Sequence, residues 1–252
     1  MKTIFIKLLN FLLASLIVVC FSSISYGNDD QSIDEIMIKA ESHFKQKDYQ
    51  QALPWYLKAA DKGNSKAMAH VGLVYYFQKD YQQAMQWFLK ANDNGYTEAI
   101  NYIAYLYKEG YGVTQDYDQA MQWYLKGVDK ENSTAMYNIG YMYSQGEGVK
   151  HSSEQALAWY KKAIDKGNIQ AIYNMGSLYE WGIYVKQDYE LAIVWYKKAA
   201  EKGNMYAMAN IAYIYEKKLN DLDSAIYWYK KALDNGYLMA TLDLKRLQES
   251  AP

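Results

Sequence analysis

Two sets of residues could do chemistry in this chain: a glycine-rich loop and three histidines. "LYKEGYGVTQDY" (106–117) places Gly110 and Gly112 close to acidic residues. A glycine-rich loop cradles phosphate when it follows a strand, opens a helix and carries a Lys-Ser/Thr pair. This loop lacks that pair, and it is not single. "MYSQGEGVKHSS" (142–153) and "LYEWGIYVKQDY" (178–189) follow at intervals of 36 residues. A phosphate turn needs one copy, whereas self-similarity at a period of about 20–50 residues marks a repeat array. The histidines fare no better as catalysts. His43 falls in an aromatic column described below, His151 falls in an inter-helix loop, and neither these nor His70 pairs recognisably with a nucleophile. The Cys/His spacings of a metal site are absent from the sequence, and no cofactor is implied. The chain reads as non-enzymatic.

The elements that carry the loop explain it. Trp55, Trp87, Trp123, Trp159, Trp195 and Trp228 each sit in a W-[YF]-x-K string, spaced 32, 36, 36, 36 and 33 residues apart. Three residues before each is an alanine (Ala52, Ala84, Ala120, Ala156, Ala192, Ala225), and four before that is Asp48, Asp80, Asp116, Ser152, Asp188 or Asp221. All six are good N-cap residues. Gln51, Gln83, Gln119 and Gln155 then stand where a capping box would place them. Each Trp therefore lies on a helix of about four turns, helix B. Turns such as "DKGN" (61–64) and "DNGY" (93–96) end it, since Gly past a helix adopts the left-handed conformation without a Cβ clash. Glu131 fills that slot once, so its turn should be strained or differently shaped.

Helix A follows each turn. It opens at an alanine column (Ala67, Ala99, Ala135, Ala171, Ala207, Ala240), carries a small column (Gly72, Ala104, Gly140, Gly176, Ala212) and then a tyrosine column (Tyr75, Tyr107, Tyr143, Tyr179, Tyr215). A small residue mid-helix lets a neighbour approach closely. Gly110, Gly146 and Gly182 stop helix A, and Val113, Val149 and Val185 tuck into the core before the next cap. Pro54 should kink or fray the first helix B. Lys245 occupies the small column of the last helix, which suits the open end of a stack.

Composition sets the remaining bounds. The chain has 252 residues, 51% of them hydrophobic and only two of them proline, enough for a core built of helices. With a net charge of −1 and no basic stripe, nucleic acid is not an expected partner. Residues 1–27 differ from the rest: Lys2 and Lys7, an apolar run, then Ser25 and Gly27 at cleavage-site positions. They read as a secretory signal peptide, leaving a repeat domain over 28–252 with no membrane span, periplasmic or secreted. An uncleaved anchor is the alternative. Cys20, the single cysteine, lies inside that segment.

The columns W-[YF]-x-K-A, G-[NY]-x-x-A, [GA]-x-x-Y-x-x-G and G-V-x-x-D-Y resemble the Sel-1-like repeat family, a branch of the tetratricopeptide-type solenoids, over about residues 34–249. The resemblance implies an all-α solenoid: about six antiparallel helix pairs in a right-handed superhelix, with a C-terminal capping helix. It also implies an adaptor or scaffold that binds a protein or peptide segment in its concave groove, often in bacterial envelopes. Two alternatives come with it. One is a penicillin-binding or β-lactamase-like envelope enzyme, as cysteine-rich relatives are described. The other is a secreted bacterial factor that binds a host protein. In such stacks helix A lines the groove, and the residues beside the small column face into it. These include Asn138, Asn174 and Asn210, with Tyr102, Tyr105, Tyr137, Tyr141, Tyr173 and Tyr213. Asn can hold an N–H and a C=O of an extended backbone, and Tyr offers a rigid amphipathic surface. Packing between successive A helices, or Asn–Asn bonds between repeats, would use the same residues structurally.

Overall fold

The computed structural model of the protein describes residues 31–249, so the signal-peptide reading of 1–27 lies outside them. Thirteen α-helices and no strand occur among the described residues. They fall into two compact units that meet between Asn64 and Ser65. The first holds one helix pair, α1 (Ile33–Lys45) and α2 (Tyr49–Asp61). The second holds α3 (Ser65–Phe77), α4 (Tyr81–Asp93), α5 (Ala99–Glu109), α6 (Tyr117–Asp129), α7 (Ser133–Gln145) and α8 (Ser153–Asp165). It continues with α9 (Ile169–Trp181), α10 (Tyr189–Ala200), α11 (Met205–Lys217), α12 (Leu222–Asp234) and α13 (Ala240–Glu249). The first unit's two helices pack on each other, and within the second unit consecutive helices pack pairwise and each pair packs on the next, the arrangement of an α-solenoid. Odd-numbered helices are the A type and even-numbered helices the B type.

The caps are where the sequence places them. Asp48, Asp80, Asp116, Ser152, Asp188 and Asp221 each accept the backbone N–H three residues on, at 2.8–3.2 Å. The reciprocal half of the capping box is supplied differently. The N-cap's own N–H donates to the carbonyl of the preceding helix A, as from Asp116 to Tyr107 (2.9 Å) and from Asp188 to Tyr179 (2.9 Å). The tyrosine column thus closes each pair through its backbone. Helix A has caps of its own: Asn132, Asn168 and Asn204 accept from Ala135, Ala171 and Ala207 at 2.8–2.9 Å.

The glycine loop has a steric purpose. Gly110 ends α5 in the left-handed region at φ 71°, and a Cβ on Gly112 would stand 2.7 Å from the Tyr81 carbonyl carbon at the start of α4. The loop lies against the previous repeat's helix B with no room for a side chain. Val113, Val149 and Val185 are half-buried against the core, as expected. Glu131 adopts φ 57° and keeps the turn shape of its glycine counterparts, with strain instead of rearrangement. Helix α2 runs unbroken through Pro54, contrary to the expected fraying. On the outer face Lys90, Lys126, Lys162, Lys198 and Lys231 lie 3.8–5.0 Å from the ring centres of Trp87, Trp123, Trp159, Trp195 and Trp228. In these five W-[YF]-x-K strings the pair is therefore a cation–π clasp one helical turn long, whereas over Trp55 the cation is Lys39 of α1 (4.8 Å).

The small column fixes the spacing within each pair. A Cβ on Gly72, Gly140 or Gly176 would come within 2.6–2.8 Å of the ring of Phe88, Tyr160 or Tyr196. Gly176→Val should therefore destabilise the fold by about 1–3 kcal/mol through overpacking. Gly176→Ala should cost less, because Ala104 and Ala212 occupy the same column. Thermal unfolding followed by circular dichroism checks this, and an unchanged Tm for Gly176→Val would refute it.

Candidate functional site

Fixing the small column against helix B leaves one side of each A helix facing outward, and the predicted site residues fall along it in two sets. Tyr105, Tyr141 and Tyr213, one position past the small column, are 36%, 37% and 38% exposed. Tyr102, Tyr137 and Tyr173 instead lie half-buried against rings of helix B. Tyr102 stacks on Phe88 (4.8 Å), Tyr137 on Tyr160 (5.6 Å), and Tyr173 meets Tyr196 at a tilt (5.4 Å). Burial pushes the phenols of Tyr102, Tyr137 and Tyr173 up, so they stay protonated at neutral pH.

The asparagines also divide. Asn174 Nδ2 donates to the Tyr137 hydroxyl one repeat back (2.9 Å), and Asn210 Nδ2 donates to Tyr173 (3.2 Å). These are Asn–Tyr bonds between repeats; the Asn–Asn bond falls one column earlier, from Asn101 Nδ2 to Asn132 Oδ1 (3.2 Å). Asn174 Oδ1 also accepts from Gln170 (3.1 Å). Asn138 makes no side-chain hydrogen bond among the described residues and lines a pocket of about 340 Å³ with Leu73, Tyr76, Phe88 and Tyr105. The structure thus brings Asn138, Tyr102 and Tyr105 together at one cavity, and gives Asn174 and Asn210 a structural bond besides any other role.

Sequence reasoning missed the column four residues past the small one: Tyr76, Lys108, Ser144, Glu180 and Glu216. Two of its members are acids, yet Glu180 is 4% exposed and Glu216 is 7%. Both accept from the helix B tyrosine, Glu180 from Tyr196 (2.6 Å) and Glu216 from Tyr229 (3.0 Å). Glu216 also holds Arg246 of α13 (Nη2–Oε2 3.0 Å). The signal was available as an i+4 offset from the small column, on the face turned to helix B. Lys108 pairs with Glu147 across repeats (3.1 Å) and with Glu109.

Catalytic groupings do not assemble from the strings that might suggest them. Ser-x-x-Lys, the nucleophile string of penicillin-binding enzymes, occurs as Ser42–Lys45 on α1. Both residues are exposed, and Ser42 Oγ meets Gln46 at 3.5 Å where a general base would be needed. His151 Nε2 contacts the Tyr184 hydroxyl (3.2 Å), which donates to the Ser144 carbonyl (2.8 Å).

Residues 97–132, 133–168, 169–204 and 205–237 each match the Sel1 repeat, and residues 39–97 match a tetratricopeptide repeat. The chain belongs to the Sel1 repeat family. Among solved structures it is similar to a Sel1 repeat protein of Oxalobacter formigenes, at 27% identity and a TM-score of 0.62, covering 83% of this chain and 86% of that one. It is also similar to c5321 of uropathogenic Escherichia coli, described as a protective antigen with a Sel1-like repeat fold. There the identity is 32% and the TM-score 0.57, over 80% of this chain but 45% of the other, so it spans less than half of that antigen. A Sel1 repeat protein of Klebsiella pneumoniae shares the fold at 18% identity and a TM-score of 0.52, over 77% of this chain and 97% of that one. No curated protein matches significantly.

The two buried glutamates of these Sel1 repeats should respond to acid in opposite ways. The Arg246 hydrogen bond holds Glu216 down to about 2. A carboxyl lowered on folding contributes stability above its unfolded value near 4.5, and that contribution is lost as pH falls towards 2. Burial raises Glu180, so its effect has the reverse sign: folding favours the protonated acid, and stability is lost as pH rises through the raised value. Glu216→Gln should lower Tm at pH 7, with the difference from wild type shrinking between about pH 4.5 and 2. Glu180→Gln should match or exceed wild type at pH 7. Melting curves across that range check both signs.

Proposed function

We propose that the chain is a non-enzymatic interaction scaffold, exported to the periplasm or beyond, that binds a segment of a partner protein on the face formed by its A helices. The observation that carries this reading is the row of Tyr105, Tyr141 and Tyr213. Three large aromatic residues stand at the same position of three repeats, each more than a third exposed, on a face whose neighbouring tyrosines are already committed to packing. A repeated, rigid, amphipathic ring row costs little side-chain entropy when it engages a partner. Asn138, with its amide unpaired among the described residues, supplies a donor and an acceptor for a peptide backbone. Asn174 and Asn210 retain capacity beyond their tyrosine bonds and would join it. The family supports a binding role for the fold in general; the face, the export and the kind of partner are this proposal's own. Export draws on residues 1–27 and on similarity to a protein described as a protective antigen.

The test is affinity capture from an envelope extract, with wild type beside a Tyr105→Ala, Tyr141→Ala, Tyr213→Ala triple variant. Exposed rings contribute little to the core, so the variant should keep its helicity, and its Tm should fall by only a few degrees. A partner retained by wild type and lost by the variant is the expected result. A partner held equally by both would place the site elsewhere. Asn174→Ala with Asn210→Ala is the less clean choice, because each change also removes a bond between repeats, worth about 1 kcal/mol.

A further inference from the structure

Within the second unit the same positions meet at successive repeat junctions, and two of these junctions leave a cavity. Around α7, α8 and α9 the lining includes Tyr141, Ser144, Gln145, Tyr160, Asn174 and Ser177, enclosing about 180 Å³. Two repeats earlier the equivalent positions are Leu73, Tyr76, Phe77, Phe88, Tyr102 and Tyr105, and the cavity is about 340 Å³. Four of the six changes replace a hydroxyl or amide side chain by an aromatic one. Phe88 also stands alone in its column, since the other five repeats have Tyr56, Tyr124, Tyr160, Tyr196 and Tyr229 there. One junction has become apolar while its counterpart stayed polar, on a scaffold that accepts both.

The polar groups at the apolar pocket narrow its occupant. Asn101 lines the pocket, and its amide orientation is set by its neighbour. Asn132 Oδ1 already accepts the Ala135 N–H (2.9 Å), so Asn101 must turn its NH2 towards that oxygen (3.2 Å). Asn101 Oδ1 is thereby shielded from solvent and accepts no hydrogen bond among the described residues. Buried acceptors in native proteins nearly always have a donor. At the same cavity Asn138 has both halves of its amide open. No charged side chain lines the pocket, and the cation one turn beyond Tyr105, Lys108, is matched by Glu109 and Glu147. Complementarity of charge therefore calls for a neutral occupant. The volume is that of about eleven waters at about 30 Å³ each, more than the ten heavy atoms of a tryptophan side chain fill alone, which leaves room for part of its flanking backbone.

We propose that this pocket receives a tryptophan side chain from an extended segment of the partner protein, its indole N–H donating to Asn101 Oδ1 and its flanking backbone meeting the Asn138 amide. The indole is a donor with no acceptor, which matches a lining whose buried unmet group is an acceptor. Its ring has Phe88, Tyr102 and Tyr105 for offset or edge contact. Reaching the shielded oxygen takes a small displacement of the wall. This inference rests on the reading of the A-helix face as the interaction surface, and it adds the residue type that the partner presents.

The experiment titrates the full chain with N-acetyl-tryptophanamide, its ring-N-methyl derivative and free indole, by calorimetry and saturation-transfer NMR. The expected order is N-acetyl-tryptophanamide first, with the methylated ring weaker by about fivefold, the worth of one neutral hydrogen bond. Free indole, without backbone amides for Asn138, should also be weaker. Tyr76→Ser with Phe77→Gln transplants the polar junction's own Ser144 and Gln145 and should abolish binding without loss of helicity. Phe88→Tyr, which restores the residue of the other five repeats, should weaken it. Absence of tryptophanamide binding, or binding that survives the transplant, overturns the pocket. Equal binding of the methylated ring overturns the Asn101 contact and the choice of indole. Tighter binding of free indole overturns a protein segment as the source. If capture by the exposed-tyrosine row succeeds while tryptophanamide fails, the pocket assignment is wrong and the scaffold reading stands.

Discussion

The close approach of helix B to the small column of helix A is the constraint on which the rest depends. At Gly72, Gly140 and Gly176 an aromatic ring occupies the space of the missing Cβ. That contact sets the distance and rotation of each pair. Rotation in turn decides what happens on either side of the column. The position just past it turns outward, so Tyr105, Tyr141 and Tyr213 are exposed. The position one turn further on turns back to the helix B ring, so Glu180 and Glu216 are buried against tyrosine hydroxyls. One steric requirement therefore produces an exposed row and a buried polar row three residues apart.

Most of the fold was legible because each element carries its own local signal. The N-caps, the left-handed glycines at Gly110, Gly146 and Gly182 and the Trp column are short-range features that recur, and recurrence turns weak signals into firm ones. The places where reading the sequence fell short are places where two repeats meet. The N-cap N–H groups bond to the Tyr-column carbonyls and leave the expected capping-box glutamines aside. Asn174 and Asn210 bond Tyr137 and Tyr173, a pairing that depends on the repeat-to-repeat offset. Pro54 was expected to disturb α2, but the helix continues through it.

The candidate site was half legible for the same reason. The family resemblance pointed to the positions beside the small column, but it could not separate tyrosines that face solvent from those that stack on helix B. It was also blind to the column of Tyr76, Lys108, Ser144, Glu180 and Glu216, because that position recurs in each repeat without a common residue type. Variation of this kind on a fixed frame is what gives each junction a chemistry of its own. It is aromatic at Tyr76, an ion pair between repeats at Lys108 and Glu147, and a carboxylate clamped by Arg246 at Glu216. Binding specificity in a solenoid of near-identical repeats must come from such positions, since the scaffold columns are shared by all.

The central claim is that the A-helix face, and not the lysine-clad outer face, meets the partner. The most direct measurement is photocrosslinking in intact cells, with p-benzoylphenylalanine placed at Tyr213 on α11 in one strain and at Lys230, exposed on α12, in another. The account predicts a discrete crosslinked species from position 213 and none from position 230. A crosslink from 230 alone would contradict it and move the interaction surface to the B helices.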